Sequence, residues 1–228
     1  MTHRKPRSSA VSKTAVRLGM IATTGMAVAA TTTVASASSG GPHLFSSSTA
    51  VDMAHTHADR MHVNQFDESF QIHQFGPLVA VTANNRAMAE SAGCSVQDPC
   101  RSIALSYQIV TAAGRNARLI NATNISRSAN DHCPGCETFS GAYQFVVATP
   151  QELALSRSAR GQLARVHREV AALRTSGLPI DSVRKRADEL ANEVKTILDR
   201  EAASAPRGNA ADPLDRFQPT VTMHRHVH

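Results

Sequence analysis

The sequence holds no H-E-x-x-H, G-x-S-x-G, Walker loop or G-x-G-x-x-G, so metalloprotease, serine-hydrolase, P-loop and dinucleotide chemistry lack their usual carriers. Its carboxylates are scattered over helix-surface positions and make no convincing acid/base pair. Nor is there an apolar run of the about 20 residues that a membrane span needs. The nearest, residues 18–30, is 13 long and is interrupted by Thr23, Thr24 and Gly25. Lysine is scarce, 4 against 20 arginines, a bias that fits a GC-rich genome better than a choice of phosphate-binding chemistry. Cysteine is limited to four residues, the first at Cys94, which excludes a lipid-modified cysteine close to the N-terminus.

What is present begins with a basic leader. Arg4, Lys5, Arg7, Lys13 and Arg17 precede the apolar run, and Ala35-Ser36-Ala37 follows it, which predicts a cleavable secretory signal peptide over residues 1–37. The remaining chain keeps 19 basic and 18 acidic residues. The pI of 9.6 therefore arises in the leader and gives no argument for nucleic-acid binding. The expectation is a secreted or cell-surface protein with no membrane span once the leader is cleaved. Residues 38–65 are rich in Ser, Thr, His and Gly, and residues 202–228 carry three prolines without periodicity. Both read as flexible, the second as a disordered His-rich tail.

Two segments of the chain match each other. Asn85 is followed after eight residues by Cys94, then Cys100 and Tyr107-Gln108-Ile109-Val110; Asn124 is followed at the same spacing by Cys133, then Cys136 and Tyr143-Gln144-Phe145-Val146. Each Tyr-Gln-x-Val begins seven residues after the second cysteine, and the copies differ mainly by a three-residue insertion between the cysteines. Duplication of one supersecondary unit is the simplest cause. Alternation of Ile103, Leu105, Tyr107 and Ile109, and of Phe139, Tyr143, Phe145 and Val147, predicts half-buried strands. Phe70 with Ile72, and Val79 with Val81, flank a Gly76-Pro77 turn and add one or two further strands; residues 85–92 are equally compatible with a short helix.

From Pro150 the apolar period becomes helical. Thr149, Pro150 and Glu152 suggest an N-terminal cap, Leu163, Val166, Val170 and Leu173 form one stripe, and Gly177 with Pro179 ends it. Asp181 opens a second helix with Val183, Ala187, Leu190, Val194 and Ile197 on one face. Arg165 with Glu169, Lys185 with Glu189 and Lys195 with Asp199 read as solvated pairs at helical spacing. The fold class expected is α+β: a small, mostly antiparallel sheet from the duplicated cysteine-paired unit, residues 66–149, followed by a two-helix antiparallel hairpin, residues 150–201, between flexible termini.

Four cysteines in an exported chain suggest a disulfide framework. Of three possible connectivities the repeat favours Cys94 to Cys100 and Cys133 to Cys136. A thiol-redox role for Cys133-Pro134-Gly135-Cys136 competes with this, but Glu137 follows directly and no cation is near in sequence. A zinc site made of all four cysteines competes as well, although C-x5-C is looser than the usual ligand spacing. His55, His57 and His62, and the row His224, His226 and His228, offer imidazoles for a divalent metal; exposed histidines without fixed geometry are the plainer reading.

At the cysteine pairs and the Tyr-Gln-x-Val segments the chain resembles an uncharacterised group of exported or surface-associated proteins of high-GC Gram-positive bacteria. These carry tandem Asn-x8-Cys units followed by an alternating stretch ending in Gln-x-Val, and some bear the label of peptide zinc metalloprotease. The resemblance covers about residues 66–200. This chain departs from it in the C-x5-C of the first unit and in having no protease zinc motif, so no protease activity carries over. The resemblance implies a stand-alone, non-catalytic member. Together these features point to an exported, non-enzymatic structural or interaction protein with no cofactor, and a cell-envelope or protein partner; the alternative is a metal-binding or thiol-redox protein.

Overall fold

A computed structural model describes residues 47–77, 80–114, 117, 120–206 and 217–228; the leader read over residues 1–37 lies outside them. The chain forms β1 (Ser47–Ala58), β2 (Asn64–Pro77), β3 (Ala80–Ala92), β4 (Arg101–Ala113), β5 (Ile120–Asp131), β6 (Glu137–Thr149), α1 (Arg157–Ala172), one 3-10 turn (Leu173–Thr175), α2 (Ile180–Ala203) and β7 (Thr220–Val227). Odd strands β1, β3 and β5 build one sheet, and β2, β4 and β6 build a second, which β7 extends. Every pairing among β1 to β6 is parallel, and only β7 runs antiparallel, on β6. The chain thus passes from sheet one to sheet two three times and returns one strand further along between passes, twice. It is a three-coil parallel β-solenoid.

This corrects the expected small, mostly antiparallel sheet. Alternation identifies a strand but not its direction, and the informative signal was burial on both faces, which typifies parallel sheets. In β4 every residue after Arg101 is buried, and β6 is nearly as enclosed. One set of side chains, Ile103, Leu105, Tyr107 and Ile109 with Phe139, Tyr143, Phe145 and Val147, packs under the helices. The other set, such as Ala104, Ser106, Gln108, Ser140, Ala142 and Gln144, fills the narrow space between the sheets, facing Ala54, Ala87 and Ala89. Gly76-Pro77 does not join an antiparallel pair, because β2 and β3 belong to different sheets. The stretch 85–92, compatible with either strand or helix by its sequence, lies in β3.

Two strands fall in segments read as flexible. β1 lies inside residues 38–65, and β7 inside the tail 202–228. β1 is hard to recognise because its polarity is inverted: Ala50, Asp52, Ala54, Thr56 and Ala58 face inward while Val51, 65% exposed, and Met53, 55% exposed, face solvent. β7 carries a period-two signal, with Val221, Met223 and Val227 partly buried against the core.

The helices follow the expected stripes. Leu163, Val166 and Val170 of α1, and Val183, Ala187, Leu190, Val194 and Ile197 of α2, are buried. The antiparallel hairpin is tied by Ser156 to Glu201, Gln162 to Arg200, Arg165 to Glu193 and Glu169 to Arg186. The cap differs from the expected one: α1 begins after Ser156, whose Oγ accepts from the Ala159 N–H at 3.0 Å. Arg165–Glu169 and Lys195–Asp199 form as expected, whereas Glu189 pairs with Arg186 rather than Lys185.

Candidate functional site: the four-cysteine corner

The turns that carry the chain from sheet one to sheet two stack on one another at one edge of the solenoid. In coil one the turn is residues 59–63 and is closed without cysteine. The Asp59 carboxylate accepts from the N–H groups of Met61 at 2.8 Å and His62 at 2.7 Å, an Asx-type turn. These backbone hydrogen bonds hold the carboxyl below its ordinary value. In coils two and three the turns are closed by Cys94–Cys100 and Cys133–Cys136, with Cα atoms 5.9 and 5.6 Å apart. The intra-repeat pairing favoured by the sequence is the one present.

Stacking comes from the parallel register. Arg101 pairs with Glu137 immediately after the second cysteine of each turn, which sets the two disulfides one above the other. Glu137 N–H donates to the Cys100 carbonyl at 2.9 Å, Gly93 N–H to the Asp131 carbonyl at 3.0 Å, and Arg101 N–H to the Val63 carbonyl at 2.7 Å. All four Sγ atoms lie within 4.8 Å of one another. Cys94, Cys100 and Cys133 are 3%, 1% and 6% exposed, and Cys136 is half-buried. The Cys100 N–H donates to Cys136 Sγ at 3.1 Å, and the Asp59 carbonyl lies 3.2 Å from Cys100 Sγ. The sharp bends need left-handed backbone at Gly93 (φ 69°) and Gly135 (φ 83°), which glycine adopts without steric cost.

Two cations missed in one-dimensional reading border this corner. Arg60 donates to the Gly93 carbonyl next to Cys94, and Arg101 pairs with Glu137 at 3.1 Å. The acidic residue that counted against thiolate chemistry is therefore charge-balanced from the neighbouring coil. Strand β6, and not a helix N-terminus, follows Cys136, so the helix dipole that activates many C-x-x-C thiols is not supplied here.

The histidines are placed elsewhere. His224, His226 and His228 alternate along β7 and its end, on the side opposite the partly buried Val221, Met223 and Val227. Alternate residues of a strand point to the same face, but the three imidazoles are not brought together at one point. His57 meets Glu90 at 3.6 Å and His62 meets Asp59 at 3.2 Å. Among the described residues, the four cysteines are the group of metal-ligand type that converges on one point.

Between the sheets runs a second arrangement that composition did not reveal, a file of buried and half-buried polar side chains. Asp52, Asn85 and Asn124 stand in register in sheet one, as do Gln71, Gln108 and Gln144 in sheet two. Gln108 Nε2 donates to Asp52 Oδ2 at 2.7 Å, Gln144 Nε2 to Gln108 Oε1 at 2.8 Å, and Asn85 Nδ2 to Asn124 Oδ1 at 2.9 Å. His73 Nε2 lies 2.8 Å from Asp52 Oδ2 and closes the file at coil one. These side chains bond to one another and to nearby carbonyls, a structural use of buried polarity, and leave the buried Gln144 Oε1 without a partner among the described residues.

No protein-family model, curated protein or solved structure matches this chain at a significant level. Among the described residues no helix is long and apolar enough to cross a membrane, and the paired cysteines fit an oxidising, extracytoplasmic environment.

Proposed function

We propose that this protein is an exported, non-enzymatic structural or interaction module, a short β-solenoid whose coil turns are stapled by disulfides. The observation that carries this reading is the pair of stacked intra-coil disulfides, which persist in an oxidising compartment and stiffen a small fold. The basic leader and the resemblance to exported proteins of high-GC Gram-positive bacteria support the same address. The duplicated Cys-pair unit fits an origin by repetition of one coil, and Phe70-Gln71, in register with Tyr107-Gln108 and Tyr143-Gln144, marks an earlier copy. The outer face of sheet one, where Met53, Arg86 and Ile125 share one column, supplies the exposed surface through which a cell-envelope or protein partner would be met.

The test is expression of the full chain in a Gram-positive host, followed by fractionation and N-terminal sequencing. Export predicts a product beginning at Ser38 in the medium or on the cell surface. A chain retained in the cytoplasm with its leader intact would remove the basis for this function, and turnover of a substrate that depends on the cysteines or histidines would place the protein in the enzyme class.

A further inference from the structure

The two disulfides need only pair within their own turns, yet the fold brings all four sulfurs together. Each pair would be satisfied at any distance from the other. Instead the parallel register sets them so that no Sγ is more than 4.8 Å from any other. In a tetrahedral tetrathiolate site the metal lies about 2.3 Å from each sulfur, which places the sulfurs about 3.8 Å apart. In the corner each bridge holds its own two sulfurs at bonding distance, and sulfurs of different bridges are no more than 4.8 Å apart, at most about 1 Å beyond that value. Opening each disulfide moves its own two sulfurs apart, toward the same spacing. The C-x5-C turn, too loose on linear spacing, therefore delivers its ligands through stacking on the neighbouring coil.

The surroundings suit such a site. Three of the cysteines are buried, the Cys100 N–H already points at Cys136 Sγ, and outer hydrogen bonds of this kind hold thiolate ligands in place. Arg60 stands at the rim, where its charge offsets part of the net 2− of a zinc tetrathiolate, while Arg101 balances Glu137 beside it.

We propose that Cys94, Cys100, Cys133 and Cys136 form a tetrathiolate zinc site when reduced, so that two disulfides and one zinc ion are alternative ways of closing the same corner. The chemistry balances with a dithiol or phosphine as reductant. Each disulfide accepts two electrons and two protons, the dithiol becoming a disulfide or the phosphine, with water, a phosphine oxide. The four thiols then release four protons as Zn²⁺ binds. Export has no bearing on this site, which belongs to the reduced chain in any compartment.

The experiment uses the purified leaderless chain, reduced under argon with a water-soluble phosphine and titrated with Co²⁺, then with Zn²⁺. The expected result is one equivalent of Co²⁺ per chain with the visible absorption of a tetrahedral thiolate centre, displaced by one equivalent of Zn²⁺. Oxidised protein should show neither. Cys94→Ser and Cys133→Ser should each weaken zinc binding at least 10-fold, about the lower end expected when a metal site loses support, while the triple change His224→Ala, His226→Ala, His228→Ala should leave it unchanged. An unfolded chain with four thiols could also bind cobalt, so the thermal midpoint of the reduced protein is measured with zinc and with a chelator. A native site raises the midpoint in zinc. No thiolate absorption, no rise in midpoint, or loss of binding in the histidine variant would each overturn the proposal.

Discussion

Gly141 sits on the helix-facing side of β6, in register with Leu105. A Cβ added there would come 3.0 Å from the Tyr143 ring and 3.1 Å from a Leu105 methyl, and both neighbours are fully buried. Tyr143 cannot step aside cheaply, since its ring stacks on Tyr107 with centroids 4.7 Å apart and its hydroxyl donates to Asp188 at 2.8 Å. Gly141→Ala is expected to destabilise the protein by about 1 to 3 kcal/mol through overpacking, read as a lower urea midpoint with an unchanged slope. The cysteines allow a second prediction at this scale. Cys133→Ser leaves the half-buried Cys136 beside the intact Cys94–Cys100 bridge, within reach of thiol–disulfide exchange. Peptide mapping should find part of Cys136 joined to Cys94 or Cys100, with a stability loss of about 2 kcal/mol or more. Cys136 entirely free, at wild-type stability, would show that the stacked sulfurs do not communicate.

Among the elements, β7 depends on a polar anchor. Its Arg225 makes two hydrogen bonds to Asp188 of α2, both 2.7 Å, while Tyr143 donates to the same carboxylate from β6. Partial burial pushes the Asp188 carboxyl up, but the Arg225 and Tyr143 hydrogen bonds outweigh it and hold the value below the ordinary carboxylate range. Burial, reinforced by the neighbouring carboxylate, drives the Tyr143 hydroxyl far upward, so it remains a donor throughout the physiological range. With its folded value depressed, Asp188 contributes stability that is complete above the unfolded value of about 4 and is lost as pH falls through the folded value. The wild type is expected to exceed Asp188→Asn in urea midpoint at pH 7, with the gap narrowing as the pH falls below about 4. Amide exchange in β7 should rise in the variant at neutral pH; equal protection in both proteins would mean that the strand is held by its ladder to β6 alone. The reading of residues 202–228 as a tail without periodicity missed both β7 and its partner, because Asp188 and Arg225 lie 37 residues apart and join only after α2 has docked. The helices were legible for the opposite reason: their stripes and hairpin turn are local, down to the left-handed Gly177 (φ 62°) between them.

For the whole molecule, strand direction was the decisive feature hidden in the sequence. Tyr107-Gln108 and Tyr143-Gln144 were visible as equivalent, but equivalence becomes parallel stacking only through an intervening strand in the other sheet. Those intervening strands carry small or polar inward residues such as Ala87, Ala89, Asn85 and Ser126 that do not announce a core. The disulfide pairing was readable because it follows the repeat, whereas the convergence of both pairs on one corner depends on register. Three coils with aromatic side chains stacked in one column, Phe70 on Tyr107 at 5.5 Å and Tyr107 on Tyr143 at 4.7 Å, bury a continuous core that one coil could not. The most direct test of a disulfide-stapled solenoid is non-reducing peptide mapping by mass spectrometry of the protein as its host exports it. The expected result is Cys94 joined to Cys100 and Cys133 joined to Cys136 in the bulk of the material. Four alkylatable thiols, or Cys100 joined to Cys136 as the main species, would contradict it.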